Sequence, residues 1–277
     1  MDYKNGTFEG VRRMEIYYQA WVPEGDLSAV VLVAHGLGEH CGRYMNVVNH
    51  LVPKGYAVYG FDHIGHGKSA GAREYVKDIE DYTETLTIFL EQVKAEHPNK
   101  PVFLVGHSMG GLISCYYLLD HGDDFQGAVI SGPAITVPEN INKGTIFTAK
   151  LLSKLAPKIG MMQLDANGIS RDPEVVRVYL DDPLVFSGKT PVRLMAEMLK
   201  GMIRVNDEME KITLPLLLLH GREDSLAPPI GSTNLYQRAG SVDKTLKIYE
   251  GLYHEVFNEP EHIQVLDDVV AWLDARL

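Results

Sequence analysis

The chain has 277 residues, 45% hydrophobic and 23% charged, with 26 Lys and Arg against 37 Asp and Glu for a net charge of −11. That is an ordinary globular composition, and its acidity argues against a nucleic-acid partner, since phosphate binding calls for clustered Lys and Arg. Two cysteines, Cys41 and Cys115, rule out a disulfide framework as the organising principle.

The first residues are polar, from Met1 to Gly6, and carry no signal-peptide-like apolar run. No window reaches the ~18 apolar residues of a spanning helix. A cytoplasmic protein is expected, in peripheral contact with membranes at most. Apolar strand-like runs follow at 17–22, 30–34 and 57–61, the second ending in His35-Gly36-Leu37-Gly38. Residues 82–96 read as a helix with Leu86, Phe89, Leu90 and Val93 on one face. Further strands are expected at 102–105, 127–130, 214–219 and 246–249, and a closing helix at 263–277. Continuous apolar strands alternating with helices predict an α/β fold with a mostly parallel sheet covered on both faces. Ligands of such sheets bind beyond the carboxyl ends of the strands.

The strand at 102–105 runs into Gly106-His107-Ser108-Met109-Gly110, a G-x-S-x-G turn that precedes a helix. Such a turn thrusts the serine hydroxyl out of the fold as a nucleophile. Ser108 then needs a base and a carboxylate to orient it. Asp224 lies just past the strand at 214–219, and His254 just past the next one, giving the chain order Ser, Asp, His. Glu223 is an adjacent rival to Asp224. His35, His63, His66 and His220 also follow strand ends, but sit in turns and read as turn-shaping. The ring of His107 is expected to point away from the nucleophile. Two backbone donors should form an oxyanion hole, Met109 and, from the turn at 35–38, Leu37. No cofactor is expected. No histidine pair has metal-ligand spacing, so no metal is expected either.

Together the strings His35-Gly36-Leu37-Gly38-Glu39-His40-Cys41-Gly42-Arg43-Tyr44, Gly60 to Ser69, Gly106 to Gly111 and Gly251-Leu252-Tyr253-His254-Glu255 resemble the monoacylglycerol lipases, α/β-hydrolases related to lysophospholipases. The resemblance runs from about residue 7 to the end. It implies hydrolysis of a monoacylglycerol to glycerol and a fatty acid through an acyl-serine, with Ser108, Asp224 and His254 as triad. It also implies that Glu39 and Arg43 lie near the glycerol-binding end of the pocket; the alternative is an i, i+4 salt bridge that stiffens the loop. Phe257 departs from the histidine some members carry there, which leaves a broader carboxylesterase or a lysophospholipase open. Oligomeric state is not legible.

About 80 residues separate the strand ending near Ser131 from the next, more than a core connection requires. The expected layout is a core of 1–132 and 207–277 with a helical cap at 133–206. The cap holds ten Lys and Arg against seven Asp and Glu, whereas the remainder is acidic. Within it, Phe147, Leu151 and Leu155 form an apolar row beside Lys150, Lys154 and Lys158. Two readings stand open, transient docking at a membrane or micelle surface and packing of the row on the core. Tyr179 is a candidate pocket residue. Met161, Met162, Met195, Met198 and Met202 are expected to wall an acyl channel for a single-chain lipid.

Overall fold

The computed structural model describes residues 1–138 and 143–277, without the side chains of residues 143, 145–147, 149 and 150. The chain runs through strands β1 (Asp2–Glu9), β2 (Glu15–Val22) and β3 (Ala29–Ala34), helix α1 (Met45–Leu51), β4 (Tyr56–Phe61), α2 (Glu80–Glu96), β5 (Val102–His107), α3 (Met109–Leu118) and β6 (Gly127–Ser131). A segment follows with α4 (Lys143–Leu155), β7 (Gly160–Met162), α5 (Pro173–Asp181), β8 (Thr190–Pro191) and α6 (Val192–Glu208). The chain closes with β9 (Leu216–Gly221), α7 (Ile230–Arg238), β10 (Lys244–Tyr249) and α8 (His262–Asp274).

One 8-stranded sheet has the order β1-β2-β4-β3-β5-β6-β9-β10. β2 is antiparallel to β1 and β4, and the pairings from β4 to β10 are parallel. Side chains alternate between the two faces of each strand. Val30, Leu32 and Leu104 pack with Phe89 of α2 and Leu112 of α3. Val31, Val33, Phe103 and Val105 pack with Val48 of α1 and Val269 and Leu273 of α8. Cover on both faces is why these strands read as unbroken apolar runs.

The sequence pattern does not reveal β1. Its residues are polar and mostly exposed because it forms the sheet edge, and only Phe8 is buried, stacked 5.0 Å from Phe89. In the inserted segment, α6 packs against α3 and α4 and places Leu194, Met198 and Val205 in the body's core. It runs past residue 206 to Glu208. Along α4, Leu151 and Leu155 are 47% and 76% exposed and Lys154 and Lys158 are exposed too. The side chains of Phe147 and Lys150 lie outside the described residues. Among the described residues no helix is long and apolar enough to cross a membrane.

Candidate active site

Parallel strands bring their carboxyl ends to one edge of the sheet, and the loops after β3, β5, β9 and β10 meet there. Ser108 sits at the β5–α3 junction with φ 55 and ψ −118, a backbone conformation strained for an L-residue. It is pinned on both sides: its N–H donates to Ser131 at 3.0 Å, and its carbonyl accepts from Ala134 at 3.0 Å. The turn passes so close to β3 that a side chain at Gly110 would collide with the Ala34 carbonyl. From the other side, a side chain at Gly36 would meet the Ser108 Cβ at 3.2 Å. Only glycine permits the approach at Gly110, and at Gly36 a larger residue would have to push its neighbours aside.

Asp224 is held three residues past β9, with Oδ1 accepting from the N–H groups of Leu226 and Ala227 at 2.9 Å each. Its Oδ2 accepts from His254 Nδ1 at 2.6 Å. Glu223 beside it is exposed. Burial works to raise the Asp224 pKa, but hydrogen bonds from His220 and His254 outweigh it and hold the carboxyl well below its ordinary range. Burial likewise works against a charged His254, yet the hydrogen bond and charge of Asp224, followed by Glu255 and Glu39, raise its pKa above 6.5. Ser108 and His254 line one cleft with Gly36, Leu37, Glu39, His107, Leu164, Ile169, Tyr179 and Glu255. The N–H of Met109 is the first of α3 and, like that of Leu37, donates to no described residue.

His107 departs from expectation. Its ring packs 4.6 Å from the His254 ring and lines the cleft, because β5 remains extended through residue 107 and carries that side chain to the nucleophile's side. Burial lowers its pKa to about 3, so it stands as a neutral wall.

Glu39 lines the cleft, whereas Arg43 lies behind it. Arg43 Nη1 donates to Glu39 Oε2 at 2.8 Å and to Glu255 Oε1 at 2.6 Å, and Nη2 to Glu255 Oε2 at 2.9 Å. The guanidinium lies 4.6 Å from the Tyr179 ring centroid. Glu39 also accepts from Gly36 N–H at 2.6 Å and Tyr44 Oη at 2.8 Å. The i, i+4 salt bridge is therefore present, widened to a buried acid–base–acid cluster. Sequence reasoning missed Glu255 and His220 as partners of the site. The available signals were positional, with Glu255 following His254 and His220 four residues before Asp224.

The methionines do not wall a channel at the cleft. Met198 and Met202 are taken up by the core under α6, Met161 and Met162 are exposed on β7, and neither these nor Met195 line the cleft. Cys41 and Cys115 are buried free thiols, and burial pushes Cys115 up to about 12. Among the described residues one group of carboxylates could share a cation, Asp78, Glu80 and Glu197. Arg12, Arg193 and Lys200 already pair with it, and it is apart from the cleft.

Residues 25–261 match the family model described as serine aminopeptidase, S33. The chain is 41% identical over 275 residues to a monoacylglycerol lipase of Mycolicibacterium smegmatis, covering 98% of this chain and 97% of the relative. It is 35% identical to monoglyceride lipase of Rattus norvegicus, over 95% of this chain and 88% of that one. Among solved structures, monoacylglycerol lipase of Paleococcus ferrophilus superposes with a TM-score of 0.82 at 31% identity, covering 100% of both chains. A soluble variant of monoglyceride lipase from Saccharomyces cerevisiae, in complex with a substrate analog, gives 0.86 at 26% identity, over 99% of this chain and 94% of that one.

Proposed function

The chain belongs to the monoacylglycerol lipase and lysophospholipase family of serine α/β-hydrolases, and from that premise we propose that it cleaves monoacylglycerols to glycerol and a free fatty acid, with Ser108, His254 and Asp224 as its triad. The observation that carries the assignment of residues is the 2.6 Å hydrogen bond from His254 to Asp224, buried in the cleft that holds Ser108.

In this reading Asp224 fixes the proton of His254 on Nδ1, leaving Nε2 as base. Nε2 takes the Ser108 Oγ proton as Oγ attacks the ester carbonyl. Charge gathers on the carbonyl oxygen, where the N–H groups of Leu37 and Met109 receive it. Collapse breaks the bond to the glycerol oxygen, which takes the proton from His254. Water, deprotonated by the same histidine, then hydrolyses the acyl-serine, releasing the fatty acid and restoring Ser108.

The segment 133–206 acts as a cap over this site. Two contacts support that role. The Phe186 N–H donates to the Gly38 carbonyl at 2.8 Å, and His40 Nε2 lies 2.9 Å from Asp182 Oδ2. The exposed leucines of α4, with Ile159 and Met161 beyond them, form the surface through which the cap meets a membrane or micelle. Tyr179, 4% exposed and lining the cleft, is the cap residue in the substrate path.

The test crosses head group with acyl length, using mono-, di- and triacylglycerols and a lysophospholipid on wild type and Ser108→Ala. Monoacylglycerol should lead the panel, and Ser108→Ala should lose about 10⁶-fold in kcat, as in a comparable triad. A preference for triacylglycerol would overturn the substrate assignment, and undiminished turnover by Ser108→Ala the mechanism.

A further inference from the structure

A second cavity, of about 390 Å³, adjoins the Ser108 cleft, and Leu37, Leu164 and Tyr179 line both. Leu180 and Phe186 supply more of its apolar wall, and Glu74 enters it from the body of the fold. Glu74 differs from the other polar groups in the site. It is 2% exposed, and its Oε2 has no hydrogen-bond partner among the described residues. Burial raises its carboxyl pKa to about 7, while Thr190 of β8, which lines the same cavity, works the other way. A side chain at Gly38 would meet Glu74 Oε1 at 3.1 Å and the Tyr179 hydroxyl at 3.3 Å, so both oxygens flank the turn that carries Leu37.

A carboxyl oxygen buried without a partner is costly, and an apolar residue would fill the same wall at lower cost. The acids that line the cleft are not comparable, since Glu39 already accepts from Gly36, Tyr44 and Arg43. With the ester carbonyl against the Leu37 N–H, the alcohol carbons two and three bonds beyond the ester oxygen would reach a space walled by Gly38. In a monoacylglycerol those carbons bear the free hydroxyls.

We propose that Glu74 is a specificity-determining residue that hydrogen-bonds a hydroxyl of the ester's alcohol half, making this cavity the seat of a polyol head group. The inference rests on the reading of the chain as a monoacylglycerol hydrolase and adds the residue that selects the polyol. Leu164, Leu180 and Phe186 pack its carbon skeleton, and Thr190 orients the carboxyl.

The experiment compares kcat/KM for monodecanoylglycerol and ethyl decanoate, which share an acyl group and differ only in the alcohol, on wild type, Glu74→Gln, Glu74→Asp and Thr190→Val. Wild type should prefer the glyceride. Glu74→Gln should reduce that preference roughly 10- to 100-fold, the range of a hydrogen bond to a charged group. Glu74→Asp should recover part of it, and Thr190→Val should lower it with the carboxyl still present. A preference within twofold of wild type in folded Glu74→Gln overturns the role of Glu74 and leaves the proposed function standing. If Glu74→Gln does not fold, an unchanged preference in Thr190→Val overturns it instead. A wild type indifferent to the alcohol overturns both readings together.

Discussion

His220 Nε2 lies 3.1 Å from the same Asp224 oxygen, Oδ2, that accepts from His254. His220 is fully buried, its Nε2 also lies 2.7 Å from the Ala227 carbonyl, and its Nδ1 lies 2.7 Å from Ser232 Oγ. Two acceptors around Nε2 require the proton there, so Ser232 donates to Nδ1. The imidazole thus clamps Asp224 from behind. His220→Asn should lower kcat roughly 10- to 100-fold with little change in KM, because a displaced Asp224 misorients His254 without touching substrate. Steady-state kinetics on a soluble ester decide this. A rise in KM at unchanged kcat would show that the clamp does not act through Asp224.

Arg43 stands between two buried carboxylates, and this bears on why the loop after β3 keeps its shape. Arg43→Met would leave Glu39 and Glu255 facing each other without a cation, at a cost of about 3–5 kcal/mol. The melting temperature should fall by roughly 10 °C. Adding Glu39→Gln should restore part of the loss by removing one of the stranded charges. If Arg43 instead contacted the head group, the single substitution would raise KM for the glyceride and leave the melting temperature in place.

Acid should unfold the protein through its histidines. Burial lowers His63 to about 3, His66 to about 4 and His107 to about 3. Below pH ~6.5 the unfolded chain takes up protons that the folded state refuses, so stability falls as pH falls. Each of the three should forfeit about 2 kcal/mol by pH 5. His254 runs the other way, since its raised value stabilises the folded state below pH 6.5 and that contribution is lost above its folded pKa. Glu74 and Glu39, whose carboxyls burial raises, run with His254, so three groups stand against five, His35 and His97 being lowered by burial as well. Urea midpoints at pH 7.5, 6 and 5 should drop in that order, and a flat series would mean that these rings are hydrated.

The parts legible in the sequence share a physical cause. A parallel sheet buried on both faces writes itself as apolar runs, and the turns after β3, β5, β9 and β10 carry the candidate site residues. As candidates, Ser108 and Asp224 each follow such a run, whereas His254 follows the half-buried edge strand β10 and is reached through the chain order Ser, Asp, His. β1 was not legible, because an edge strand keeps only one buried side chain, Phe8, and has no alternation to read. The side of β5 on which His107 falls depends on where the strand ends, and the apolar run stops at Val105 while the strand continues to His107. The methionines of α6 misled because an apolar face on an inserted helix looks the same whether it meets a ligand or the body of the fold. Glu74 left no signal, since its importance lies in the partner its Oε2 lacks.

The apolar row on α4 has two leucines in solvent, 47% and 76% exposed, on a helix whose Ser153 is buried. A helix packed on the body through that row would show the reverse. Below it Ile159, Met161 and Met162 are also exposed, so the apolar surface continues from α4 onto β7. Lys154 and Lys158 edge it, which suits a surface of mixed neutral and anionic lipid. Leu151→Ser with Leu155→Ser should weaken co-sedimentation with such vesicles by roughly tenfold or more per leucine, from the apolar area withdrawn. Turnover of vesicle-borne monoacylglycerol should fall more than turnover of a water-soluble ester by the same variant. Charge reversal at Lys154 and Lys158 should matter only on anionic vesicles and fade as salt is raised. Equal binding by wild type and the double leucine variant on both vesicle types would remove the membrane from this account and leave the cap a cover alone.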